Sequence, residues 1–287
     1  MSRDTLVMGA VAYAPKVVTI WEGLKAYLAQ HNMKYDFVLY TNYERQVQDL
    51  FKGNIDVAWN SPLAYVRARR FATSRGLSIH PLIMRDTDCD LRSVFVVNAE
   101  SPIQTLQELR GKTLGTGAMD SPQATLIPLD HLRQLGLVED KDYTVCRFDV
   151  LTGKHGDHIG GERDAVLALL ADAVDVCCIC EGNYNNFMLD GTMRAGTTRI
   201  IGRTGAFDHC NFTAGPHAPA ELVQQFTELV LAMRWENPQI RPLLELEGLR
   251  EWLPARSTGY DLLERAVGEQ GFYAEDGSIL HPDYDYD

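Results

Sequence analysis

Two short runs of the chain hold most of the side chains able to do chemistry. GKHGDHIGGERDA places His155, Asp157, His158 and Glu162 within eight residues, and FDHCNFT sets Asp208, His209 and Cys210 in a row. Imidazole, carboxylate and thiol are ligands for divalent metals. His158, Glu162, His209 and Cys210 are therefore a candidate metal set, although their spacing matches no established metal motif. The plainer reading of the first run is a solvated loop in which Glu162 opens a helix, where a carboxylate is favoured. The plainer reading of the second is a hinge segment with a buried thiol. An adjacent Cys–His pair also suggests a nucleophile with its base, but such partners meet in space and not in sequence.

A different chemistry is written in two strand-to-helix turns. In LRGKTLGTGAMDSPQATLIP, from Leu109 to Pro128, three glycines allow tight turns, Thr113 and Leu114 begin a strand, and Ser121-Pro122 reads as an N-cap followed by proline at the first helical position. KGNIDVAWNSPLAYV repeats this logic from Lys52 to Val66, with Ile55 to Trp59 as strand and Asn60-Ser61-Pro62 as helix start. Helix N-termini carry about half a positive charge and free N–H groups, so both turns suit phosphate, phosphonate or carboxylate oxygens. Ligands of α/β sheets sit beyond the carboxyl ends of the strands. The polar residues there are Tyr13, Tyr40 and Thr41, Asn60 and Ser61, then Asp120, Ser121 and Gln123, the 154–162 loop, and Glu181 with Asn183.

These residues need a scaffold, and the patterning supplies one. Strands at Leu6–Ala12, Tyr35–Leu39 and Asp56–Trp59 alternate with helices at Lys16–Gln30, Glu44–Phe51 and Pro62–Ala72, which predicts a parallel, helix-covered sheet. A second alternation runs from Thr113–Gly115 through Pro122–Leu135, Thr144–Phe148 and Arg163–Ala171 to Val174–Cys178. The runs Ile79–Met84 and Ser93–Val97 flank a polar DTDCD turn, the second of them crosses to the other lobe, and the chain recrosses near Thr197–Ile201. From Ala218 the pattern is helical and packs back on the first lobe. Two lobes are therefore expected, residues 1–95 plus 202–287 and residues 96–201, with a hinge at the two crossings. The acidic, aromatic tail DGSILHPDYDYD reads equally as a mobile terminus or a lid.

From Leu6 to about Thr213 the chain resembles the PhnD-like phosphate/phosphite/phosphonate-binding group. The resemblance rests on GNIDVAWNSPLAYV, LRGKTLGTGAMDSPQATLIP and GKHGD in that order. It implies an α/β, two-lobed type 2 periplasmic-binding-protein fold, each lobe a helix-covered, mainly parallel sheet. It also implies that Ser121 and its neighbours hold an anionic head group, that His155 matches the group's histidine, and that Glu181 stands where an acidic residue meets a ligand amine. The seat SPQAT carries fewer hydroxyls than the group's usual run. The resulting ligand-binding set is Tyr13, Tyr40, Asn60, Ser61, Ser121, Gln123, His155 and Glu181.

Composition limits the partners. A formal charge of −12, from 27 basic and 39 acidic residues, leaves no basic face for nucleic acid, while a local pocket can still oppose the net charge. No window approaches a membrane span. The eight-residue apolar run after Arg3 lacks the marks of an export signal, and six cysteines, three of them in VCCIC, look like buried free thiols rather than a disulfide framework. A cytoplasmic location is expected on those grounds, and a periplasmic one if a signal has been removed. The leading functional expectation is a binding protein for a small oxyanion, either feeding an ABC transporter permease or sensing inside the cell. The alternative is a cytoplasmic lyase of decarboxylase or dehydratase type, using a divalent metal on the same scaffold.

Overall fold

The structure is a computed structural model that describes residues 4–286. Residues 1–3 and 287, the outer limits expected for the first lobe, lie outside it. β1 (Leu6–Val11), α1 (Lys16–Gln30), β2 (Tyr35–Tyr40), α2 (Tyr43–Lys52), β3 (Val57–Asn60), α3 (Pro62–Arg75) and β4 (His80–Arg85) follow in strict alternation. The second sheet begins with β5 (Ser93–Asn98) and β6 (Thr113–Thr116). A π-type turn at Pro122–Leu126 then runs into α4 (Ile127–Gln134), followed by β7 (Thr144–Arg147), α5 (Gly160–Leu170), β8 (Val176–Cys180), α6 (Glu181–Leu189) and β9 (Thr198–Arg203). The chain returns through β10 (Asn211–Ala214), α7 (Ala220–Leu231), α8 (Arg241–Glu247), β11 (Trp252–Pro254) and α9 (Asp261–Glu269).

Local chemistry explains the helix limits that matter for the cleft. The Asn42 side chain accepts the Arg45 N–H at the start of α2, and Gly53 ends that helix at φ 71°, a left-handed angle that costs glycine little. Ser61 accepts the Ala64 N–H ahead of Pro62 in α3, and Ser121 accepts the Ala124 N–H ahead of Pro122. Both serines are thus the N-caps that the sequence predicts.

The first sheet has the order β11-β4-β10-β3-β1-β2 and the second β7-β6-β8-β5-β9. Parallel pairing joins β1 to β2 and β3, and β6 to β7 and β8. The strands next to the crossings pair antiparallel, so both sheets are mixed and not mainly parallel. The expected cuts after residues 95 and 201 fall inside β5 and β9. Both strands lie wholly in the second sheet, where the apolar run of β5 is held between β8 and β9. The crossings are therefore 86–92 and 204–210, and they bond to one another. Leu91 and Phe207 exchange N–H···O bonds of 2.8 and 2.9 Å, and the His209 N–H donates to the Asp88 carbonyl at 2.8 Å.

Phe212, fully buried on β10, is the centre of the first lobe's core. Its ring lies 4.6 Å from Trp59, 5.1 Å from Phe226, 5.6 Å from Trp252 and 5.9 Å from Trp21. Phe212→Ala is expected to cost about 3–5 kcal/mol by opening a cavity between rings that cannot all collapse into it. The drop in the denaturant unfolding midpoint at unchanged slope checks this, and a loss under about 1 kcal/mol would show that the cluster is not the core.

Candidate functional site between the lobes

The 150s loop decides which part of the interlobe space is open. Leu151, Gly153, His155 and Gly156 all take positive φ, at 55°, 88°, 51° and 74°, and this coils the loop back across the first lobe. His155 is fully buried there. Its Nδ1 is 2.6 Å from Ser61 Oγ and its Nε2 is 2.9 Å from Glu44 Oε1. The Tyr43 ring stacks on the imidazole with centroids 4.8 Å apart, and its hydroxyl donates to Asp157. Gly153 accepts the Tyr43 N–H, and Lys154 donates to the Thr41 carbonyl. Gly156 presses so closely on the other cap that an added Cβ would lie 2.4 Å from Ser121 Oγ.

The C-terminal tail closes the same face as a strap. Tyr284 donates to Glu44 Oε1 at 2.9 Å and reaches Asp120 Oδ2 at 3.3 Å, while Tyr273 also donates to Glu44 Oε1 at 2.7 Å. Burial raises the Glu44 carboxyl, but the His155 imidazole and Arg67 guanidinium outweigh it, so Glu44 titrates below its usual range. Protein groups thus cover both helix starts that the sequence marks as anion seats.

Open space lies on the other side of Gln123, as a cavity of about 420 Å³ lined from both lobes. The first lobe and crossings supply Tyr13, Lys16, Trp59, Arg85, Asp88, His209 and Cys210; the second supplies Gln123, Asp157, His158, Cys180 and Asn183. The first turns of α1, α5 and α6 border it, through Lys16, Ile159 and Asn183. A larger groove of about 790 Å³ lies wholly within the first lobe, between α1 and the α8 region, and contains no cluster of this kind.

Charge in the cleft is tightly organised. Arg85 grips Asp88 with two bonds of 2.6 and 2.8 Å, donates to Glu247 and lies 5.3 Å from the Trp59 ring centroid. Burial raises Asp88, but Arg85 and His209 outweigh it and bring it down to about 2, whereas burial carries Glu247 up to about 7. Arg85 is therefore committed to carboxylates. Burial, with the Asp157 and Asp88 carboxylates, holds the Cys210 thiol well above its usual range, which opposes a nucleophilic thiolate.

Of the expected ligand-binding residues, Tyr13 and Gln123 line this cavity. Ser61, Ser121 and His155 meet one another's loops in the covered region instead. Tyr40 donates to Asp49 at 3.0 Å, Asn60 accepts from Gln46 at 3.0 Å, and Glu181 pairs with Arg203 at 2.8 Å, so none of the three faces the cavity. The expected metal set is also redrawn. Glu162 accepts from Gln123, the Cys180 N–H and Asn183, and His158 Nδ1 accepts the Gly160 N–H. Among the described residues the group that converges is Asp88, His209 and Cys210. Asp88 was legible only as part of the polar DTDCD turn and Arg85 was not singled out, because their place depends on how the crossings pair. All six cysteines are free, and no described helix is long and apolar enough to cross a membrane.

The sequence profile of a family described as "ABC transporter, phosphonate, periplasmic substrate-binding protein" matches residues 8–260. A probable ABC transporter phosphite-binding protein, PhnD1 from Prochlorococcus marinus (strain MIT 9301), is 23% identical over 246 residues, covering 82% of this chain and 78% of that protein. The structure of PhnD1 from the same organism with methylphosphonate superposes with a TM-score of 0.70 at 17% identity, covering 93% of this chain and 98% of that one. XAC2383 from Xanthomonas citri, bound to ATP, gives 0.71 at 17% identity, again over 93% and 98%. These likenesses bear out the two-lobed α/β architecture.

The covered region carries its own pH signature. Asp120 is fully buried, with Oδ1 unpartnered and Oδ2 accepting from the Gly153 and His155 N–H groups, and burial raises its carboxyl to about 6. Because the folded value exceeds the unfolded one, its contribution to stability is full below about pH 4 and is lost as pH rises through about 6. Asp120→Asn should remove that component, on the order of 2–3 kcal/mol. Unfolding curves for both proteins across this range check it, and parallel pH profiles would free Asp120 of the role.

Proposed function

Because the chain belongs to the phosphonate-binding family of periplasmic substrate-binding proteins of ABC transporters, we propose that it captures a small phosphonate-like or phosphate-like oxyanion in the interlobe cavity and presents it to a transporter permease. The observation that carries this reading is that three helix starts, those of α1, α5 and α6, border one cavity lined from both lobes. Their dipoles favour an anion. Lys16 adds a cation at the rim, and Tyr13 and Asn183 offer polar hydrogens. The reading moves the ligand away from Ser61 and Ser121, whose caps are covered.

Lobe closure would serve this function in the usual physical way. Excluding water strengthens each hydrogen bond to the anion, and contacts from both lobes make the closed state the tighter binder. None of the relatives described above is named as an enzyme, and nothing in the cleft calls for the lyase alternative.

Titration calorimetry with methylphosphonate, phosphite, phosphate and an alkylsulfonate tests the proposal. At least one should bind, and at a hundredfold excess over its Kd it should stabilise the fold by about 2.7 kcal/mol. Tyr13→Phe and Lys16→Ala should each weaken binding roughly 12- to 160-fold, the equivalent of one hydrogen bond to a charged group. Ser61→Ala should lower stability without changing affinity. Failure of all four anions to bind, or a loss of affinity confined to the Ser61 variant, would overturn the cavity assignment.

A further inference from the structure

The crossings that form the hinge also bring together donors from two distant parts of the sequence. Since the His209 N–H bonds the Asp88 carbonyl, their side chains emerge side by side with that of Cys210. His209 Nδ1 is 3.0 Å from Cys210 Sγ and 3.5 Å from Asp88 Oδ1, and Asp157 Oδ1 from the opposite lobe is 3.9 Å from Sγ. We propose that Asp88, His209 and Cys210, completed by Asp157, bind a thiophilic divalent cation of the zinc class at the hinge. This inference stands independently of the oxyanion reading.

The donor set fits the ion. Zinc takes sulfur at about 2.3 Å and nitrogen or oxygen at about 2.0–2.2 Å, so a tetrahedral ion separates its ligand atoms by roughly 3.4–3.6 Å. Of the six separations among the four donors, three are 3.0, 3.5 and 3.9 Å, on either side of that range, and the ligand atoms of Asp88, His209 and Cys210 all lie within 4.8 Å of one another, with Asp157 adjoining through Cys210.

The orientation of His209 points the same way. The buried Glu162 carboxylate and the Gly156 carbonyl both accept from Gln123 Nε2, at 3.2 and 2.9 Å, which turns Gln123 Oε1 toward His209 Nε2 at 3.4 Å. With its proton on Nε2, toward that acceptor, the ring presents the Nδ1 lone pair to an ion in the cluster, the arrangement seen in metal-bound histidines with an anchored second nitrogen. Asp88 gives both oxygens to Arg85, yet a carboxylate has about four lone-pair positions and keeps room for an ion. Binding would convert the Cys210 thiol to a thiolate and release its proton to solvent.

The test uses the full chain, stripped with a chelator and titrated with cobalt(II) alone. A sulfur-to-cobalt charge-transfer band should grow to saturation at about one equivalent and disappear when zinc is added. Cys210→Ser should abolish the band with circular dichroism unchanged, His209→Gln should weaken binding at least tenfold, and Cys146→Ser, remote from the cluster, should keep it. No saturable band, or a band that survives Cys210→Ser, would overturn the assignment. Since no oxyanion is present, a positive result stands even if the phosphonate panel fails, and a negative one leaves that panel untouched.

Discussion

A single imidazole set between the lobes determines what the rest of the cleft can be. His155 belongs to the second lobe yet is buried in the first, bonded to Ser61 Oγ and Glu44 Oε1. A buried polar bond of this kind adds only about 0.5–1.5 kcal/mol net, but removing one partner leaves a buried group unsatisfied at a cost of about 1–3 kcal/mol, more where that group is charged. The pair therefore acts more as a device of register than of net stability. It fixes where the 150s loop lies, and the loop in turn places Gly156 against Ser121 and Asp157 against Tyr43 and Cys210.

That placement divides the interlobe space in two. On one side Glu44, His155, Asp120, Tyr273 and Tyr284 fill the region in front of Ser61 at the start of α3 and Ser121 at the start of the Pro122–Leu126 turn with a dense polar network. On the other, Gln123 and Asp157 become walls of the open cavity. Gln123 touches both worlds, since its amide nitrogen is anchored by Gly156 and Glu162 while its oxygen turns toward His209. A change in the loop would therefore be felt at the hinge through one amide.

Much of the fold was legible because its signals are local. Serine and asparagine caps, glycine stops and the three- and four-residue spacing of Val17, Ile20, Trp21, Leu24 and Leu28 depend on near neighbours, and α1 has the limits that its pattern predicts. The N-cap roles of Ser61 and Ser121 were read on the same basis. Whether those caps face ligand or protein was not legible, because it turns on a loop nearly a hundred residues from Ser61 and on four positive φ angles within it. The adjacency of His209 and Cys210 marked a real cluster, while the third member, Asp88, lay hidden in DTDCD until the pairing of the crossings set it opposite. Glu162 shows the converse: its residue type suited a metal, but three donors already satisfy it.

The hinge is where these strands of reasoning meet. A binding protein closes by rotating one lobe against the other about its crossings, and here the crossings form a hydrogen-bonded ribbon pinned by Arg256, whose guanidinium holds Asp208 with two bonds of 2.6 Å. Asp88, His209 and Cys210 ride on that ribbon, whereas Asp157 rides on the second lobe. Any opening that keeps the ribbon intact must change the distance from Asp157 to the other three. A cation coordinated by all four would favour the closed arrangement by the free energy of its bond to Asp157, and a ligand that closes the lobes would tighten the cation in return, since coupling between two sites is reciprocal. The residues that separate this cleft from a plain anion seat are thus the ones placed to sense whether it is shut.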